Sequence, residues 1–224
     1  NSLPYFSPND QFISFSAFRN FEQEIMLYNT QTKKTINLTN TSITETDPMW
    51  SQDGKYIYFT SSRLKPSYPF GIQNARIYRL PLENIDEPYR GDKFTELFKE
   101  EKKDTSKKVI VKTDEVINID MDRIMDRLEL VGPSFGSQAI VSLYQKGDKS
   151  TVFYSSNHSE GKPALWKTVI EPFEENKIEK IAGTDGASSF QVITVNDKFF
   201  LLTKGNIMKL NVEANKIDPV NISY

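Results

Sequence analysis

The chain has 224 residues, 38% hydrophobic and 12% aromatic, so it is long enough to bury a sizeable core as one all-β domain. Its 28 basic and 30 acidic side chains leave a net charge of −2, which offers no basic field to nucleic acid. With no cysteine and one histidine, His158, disulfides and thiolate metal sites are excluded, and a multi-histidine zinc site nearly so.

No apolar run approaches the roughly 20 residues of a membrane span, and no cofactor is expected. The first residue is Asn1, so the sequence reads as a processed product or a piece of a longer chain.

The first element is Pro4–Arg19, PYFSPNDQFISFSAFR. It aligns without a gap on Pro48–Arg63, PMWSQDGKYIYFTSSR, at an offset of 44. Pro4/Pro48, Ser7/Ser51, Ile13/Ile57, Phe15/Phe59 and Arg19/Arg63 are identical, and Phe6 stands opposite Trp50. Weaker echoes are TVFYSS at Thr151–Ser156 and NDKFFLLT at Asn196–Thr203.

Each copy precedes a second strand-like run: Glu24–Asn29, Arg76–Leu82, Ala164–Ile170 and Ile207–Val212. Short closing runs come next, at Lys34–Leu38, Phe94–Phe98, Lys177–Ile181 and Asp218–Ile222. Four short strands per unit of about 40–50 residues are the pattern of a propeller blade. The expected fold is therefore all-β, a β-propeller of four-stranded antiparallel blades forming an incomplete ring of about four. Trp50, Tyr56 and Tyr58 are expected to fill the wedges between blades, and Asp53-Gly54 to supply the positive φ of a tight turn. An incomplete ring leaves blade edges open, with missing blades expected on the N-terminal side and homo-oligomer contacts as one consequence.

The spacing breaks after the second unit. Leu64–Asn74 (LKPSYPFGIQN) lengthens a loop, and Lys99–Lys112 (KEEKKDTSKKVIVK) reads as a solvated, mixed-charge insert. The resulting organisation is two blades in 1–98, an insert in 99–115 and two further blades in 116–224. Tyr68 and Phe70, among the prolines of the lengthened loop, are the candidate binding residues. Asp120, Asp122 and Asp126 resemble a metal cluster, but the glycine and closing glutamate of a calcium loop are missing. GPSFG at Gly132–Gly136 matches a nucleophile elbow, yet its flanks read as strand, loop, strand rather than strand, turn, helix. Ser134 is thus read as a loop serine and His158, in SSNHSEGKP, as a solvated loop histidine.

The Pro-x-Trp-Ser-x-Asp-Gly-Lys-x-Ile-x-Phe-x-Ser pattern at Pro48–Ser61 resembles the propeller repeat of TolB and of tricorn-type proteases. ARIYRLPLE (Ala75–Glu83), the charged insert, IDMDRIMDRLELV (Ile119–Val131), ALWKTVIE (Ala164–Glu171) and NKIDPVNIS (Asn215–Ser223) follow in the order of the propeller region of tricorn-like serine peptidases. The sequence departs from that family at Lys204–Gly205, where a tryptophan-containing strand is often found. The resemblance implies a non-catalytic segment that gates or steers peptides toward a peptidase core of the same polypeptide, in the periplasm or outside the cell. No catalytic residue carries over, because the domains that bear that set are absent from these 224 residues. The alternative is a TolB-like scaffold that binds proteins in the envelope.

Overall fold

The computed structural model describes residues 3–66, 72–84, 116–187 and 189–220. The repeated stretch explains its first sheet: β1 (Tyr5–Phe6), β2 (Phe12–Arg19), β3 (Glu22–Asn29) and β4 (Thr35–Asn37), paired antiparallel in chain order. The second copy starts the second sheet: β5 (Glu45–Trp50), β6 (Tyr56–Ser61), β7 (Arg76–Pro81) and β8 (Glu129–Leu130). The third holds β9 (Gln138–Lys146), β10 (Lys149–Ser156), β11 (Ala164–Ile170) and β12 (Lys177–Lys180). The fourth holds β13 (Phe190–Val195), β14 (Lys198–Thr203), β15 (Asn206–Asn211) and β16 (Lys216–Pro219). Four antiparallel sheets of this order, packed in succession, make a partial β-propeller of four blades.

The serine of the repeat fixes the turn from the first to the second strand. In the first copy Phe12 N donates to Ser7 Oγ (2.9 Å), and Ser7 Oγ bonds Asn9 Oδ1 (2.9 Å). In the second, Tyr56 N donates to Ser51 Oγ (2.9 Å), and Ser51 Oγ bonds Asp53 Oδ1 (2.6 Å). One hydroxyl thus satisfies a backbone donor and a side-chain acceptor across a tight turn. Gly54 takes φ +73° there and Asp10 takes +59° at the matching position. Asp53 is not in the left-handed region, so the positive φ comes from Gly54 alone rather than from the pair.

The middle strands alternate between two interfaces. On β6, Ile57 and Phe59 face the first blade, where they join Phe12, Ile25, Leu27, Trp50 and Leu80. Tyr56 and Tyr58 face the third blade, with Val152, Tyr154 and Ile170. On β10 the same alternation sends Tyr154 back to the second blade and Phe153 forward to the fourth, beside Leu165, Leu201 and Leu210. This period of two on strands buried on both faces is what a blade stack requires. The buried Tyr154 phenol, in hydrogen-bond contact with Thr168 Oγ1 (3.1 Å), is pushed up to about 12, chiefly by burial.

The outer position of the second blade belongs to Glu129–Leu130, which pairs with Tyr78 and Arg79 from beyond the charged insert. The closing run expected at Phe94–Phe98 lies outside the described residues. Between Val116 and β8 the chain makes one 3-10 turn, Ile124–Arg127, whose Ile124 is buried in the first core. The blade faces at the two ends of the row have no fifth blade against them, and the last leaves Ile193, Val195, Leu202 and Ile207 exposed. Among the described residues no helix is long and apolar enough to cross a membrane.

Trp50 is buried and stacks on Phe12 of the neighbouring blade, centroids 6.2 Å apart. Trp50→Ala is expected to cost about 3–5 kcal/mol in denaturant melts, the range for emptying an aromatic core site. A loss below about 1 kcal/mol would mean that the first two blades are not held through this ring.

Candidate functional site

In each blade, the turn between the second and third strands and the connection to the next blade fall at the same end. Polar side chains tie these loops together. Glu24, buried on β3, accepts Ser42 N (2.8 Å) and the Asn37 side-chain amide, while Thr44 Oγ1 bonds Glu22. Arg19 Nη1 donates to Asn40 Oδ1 (2.9 Å) in the same connection. One connection later, Arg76 donates to the carbonyls of Asn74, Ala75 and Gly136. Ser137 N bonds Asn157 Oδ1 (2.6 Å), and Gly186 N bonds Pro163 O (2.9 Å). These bonds make one end a cross-braced rim.

Glu45 opens β5 at that rim and is fully buried. Arg63 Nη2 lies 3.3 Å from its Oε1, and the guanidinium sits 5.8 Å from the Tyr78 ring centroid. Burial pushes the Glu45 carboxyl above its ordinary value, against the opposing pull of Thr39, Arg63 and Thr41. The pair clamps the second blade's inner strand to its own second-to-third strand loop. Sequence reasoning missed Glu45; the available signal was the Arg19/Arg63 identity of the repeat, since Arg19 ends β2 and Arg63 lies just past β6, each beside a buried glutamate.

GPSFG is a loop between two strands, β8 and β9, with Ser134 exposed. Gly136 has φ +76°, and a Cβ there would lie 2.5 Å from the His158 Cα. The second glycine of the motif therefore permits a close backbone approach. His158 is not the solvated residue expected. The loop folds over it, placing Phe135 edge-on at 5.6 Å, and Trp166 on β11 lies 4.0 Å away between centroids. Its Nδ1 lies 2.8 Å from Ser156 Oγ, and burial holds the imidazole below its ordinary pKa.

Asp120 and Asp126 turn to arginines: Arg127 Nη1 lies 3.5 Å from Asp120, and Arg123 Nε 2.6 Å from Asp126. Among the described residues no group of three or more histidine, cysteine or acidic side chains is placed to hold a metal. A cavity of about 70 Å³ lies at the opposite end, between Asp53, Lys55, Leu82 and Ile117. Drug-sized ligands need about 300 Å³ or more. Tyr68 and Phe70 lie outside the described residues; the loop that carries them leaves β6 at the rim.

The rim also presents apolar side chains that sequence reasoning missed. Phe18, near the end of β2, and Phe21, in the turn from β2 to β3, are 73% and 83% exposed. Leu64, on the loop between β6 and β7, and Phe135, on the connection between β8 and β9, are exposed at the same end. The available signal was Asn20-Phe21 where a two-residue hairpin favours Asn-Gly.

The chain is similar over 95% of its length to the tricorn protease (16% identity, TM-score 0.55, 21% of that chain). It is similar over 99% to TolB from Acinetobacter baumannii (14%, 0.55, 44% of that chain). Prolyl oligopeptidase B from Galerina marginata matches over 94% (10%, 0.52, 25% of that chain). The fold is a tricorn- and TolB-like propeller. The chain spans 21 to 44% of the length of these three proteins. The model of the family described as "Eukaryotic translation initiation factor eIF2A" matches residues 1–72. No curated protein sequence matches the chain.

The Glu45–Arg63 pair yields a measurable consequence. Arg63→Met leaves a buried carboxylate without its counter-ion and is expected to destabilise the chain by about 3 kcal/mol at neutral pH. Glu45 has a folded pKa above its unfolded 4.5, so its ionisation opposes folding as pH rises through that interval. Removing Arg63 raises the folded value further. The loss should therefore shrink as pH falls toward 4.5. A pH-independent loss would contradict the pairing.

Proposed function

We propose that this chain is a non-catalytic propeller segment that binds peptides at its braced rim and steers them toward a peptidase core elsewhere in the same polypeptide. The observation that carries this reading is the rim itself: loops from successive blades, fixed by buried carboxylates and arginines, holding exposed aromatic residues outward. Rigid presentation lowers the ordering cost of binding. The likeness to a tricorn protease and a prolyl oligopeptidase supports a peptidase context. In this reading the Tyr68 and Phe70 loop joins the same surface. Residues 99–115, outside the described residues, are read here as a charged insert, and the compartment is the periplasm or the exterior.

A second reading is a TolB-like scaffold that binds folded proteins, supported by the likeness to TolB. Both readings leave the outer blade faces free for blade-to-blade contacts, including contacts with a second copy. Incubation with a mixed peptide library and a serine-reactive probe tests the first reading. The chain should retain peptides without cleaving them. Turnover that disappears in Ser134→Ala would overturn it, and retention of folded proteins but no peptides would favour the scaffold.

A further inference from the structure

In the seam between the first two blades, the back face of the second supplies Trp50 from β5, Ile57 and Phe59 from β6, and Tyr78 and Leu80 from β7, all buried. The repeat places a matching set on the back of the first blade. At the offset of 44, Phe6, Ile13 and Phe15 stand for Trp50, Ile57 and Phe59. Met26 and Tyr28 lie opposite Phe15 and Ile13 across β2 and β3, as Tyr78 and Leu80 lie opposite Phe59 and Ile57 across β6 and β7. The positions that receive a preceding blade in the second are thus apolar in the first as well. There no described blade covers them: Phe6 is 59% exposed where Trp50 is 8%.

The other end of the row offers the other half of a seam. Strand β14 turns Phe199 and Leu201 back toward the third blade, so Phe200 and Leu202 point forward. Ile193, opposite Phe200, and Ile207, opposite Leu202, share that forward face with Val195. An exposed contiguous apolar face of this kind marks an interaction surface.

We infer that the forward face of the fourth blade docks on the back face of the first blade of a second copy, so that two chains close one eight-bladed ring. The contact continues an established interface. The first seam sets the branched residues Ile25 and Leu27 of a forward face against a back face whose inner strand brings an aromatic ring, Trp50. The new seam sets Ile193, Val195, Leu202 and Ile207 against a back face whose inner strand brings Phe6. Within one chain the two faces sit at opposite ends of the row and share no hydrophobic cluster. A head-to-tail contact either closes or grows into a filament. Closed propellers hold about four to eight blades, so two rows of four fall within what the architecture closes. Two-fold symmetry then makes two identical seams and leaves neither face open. The inference is independent of peptide binding at the rim.

Sedimentation over a wide concentration range, with circular dichroism as the check on folding, tests it. Wild type should have the mass of two chains. Phe15→Glu on the back face and Leu202→Lys on the forward face should each give folded single chains, because either change spoils both seams. Mixing the two variants should restore particles of two chains, one of each, because such a pair rebuilds one wild-type seam. Wild type that stays at the mass of one chain would overturn the inference, and so would particles that keep growing beyond two. Loss of the β-sheet signal in either variant would show a face packed within its own chain and would also overturn it. So would a mixture that stays at single chains, or two-chain particles that one variant abolishes and the other keeps, since that is a face meeting its own copy.

Discussion

Everything in this molecule depends on strands that are buried on both faces. A four-stranded blade cannot cover either face alone, so each inner blade must send alternate side chains to two neighbours. β6 does so with Ile57 and Phe59 on one side and Tyr56 and Tyr58 on the other. β10 does so with Phe153 opposed to Val152 and Tyr154. A shift of one residue in β6 would exchange the two sets, turning Tyr56 and Tyr58 toward the seam built around Phe12 and Trp50. The three hydrophobic cores are therefore the three seams between four blades, and stability is shared between neighbours as in other repeat architectures.

The rim follows from that stack. Seams of aromatic and branched side chains fix the blades, and the loops at one end are then close enough to be braced by side chains. The braces are costly groups to bury. Glu24 and Glu45 are carboxylates with almost no exposure, each beside an arginine at or just past the end of its blade's second strand. Unpaired, either would strongly oppose folding; paired and hydrogen-bonded, they hold the loops in one geometry. That rigidity is what lets Phe18, Phe21 and Phe135 stand in solvent on defined positions. The close approach of Gly136 to His158 belongs to the same bracing, with the histidine acting as a packed ring between Phe135 and Trp166.

The repeat made the blades legible. The gapless alignment of Pro4–Arg19 on Pro48–Arg63 gave the first two strands of two blades, and the aromatic residues Trp50, Tyr56 and Tyr58 expected between blades lie in the seams on either side of the second. The partner of β7 was not legible, because Glu129–Leu130 is two residues long and follows the insert, where spacing carries no information. The rim was largely hidden for a different reason. Its bonds join loops that are far apart in sequence, such as Arg76 to Gly136 and Arg63 to Glu45, and each loop alone looks like an ordinary polar connection. Phe21 was readable in principle, since a phenylalanine after asparagine in a two-residue turn breaks the local rule, and such breaks concentrate at functional sites.

The central claim is that each blade is held by its neighbours through the seams and not by one common core. Native-state hydrogen exchange on Phe153→Ala tests it most directly, because Phe153 lies in the seam between the third and fourth blades and nowhere else. The account predicts faster exchange at protected amides of β14 and β15, with those of β2 and β3 close to wild type. Equal acceleration in all four blades would contradict it.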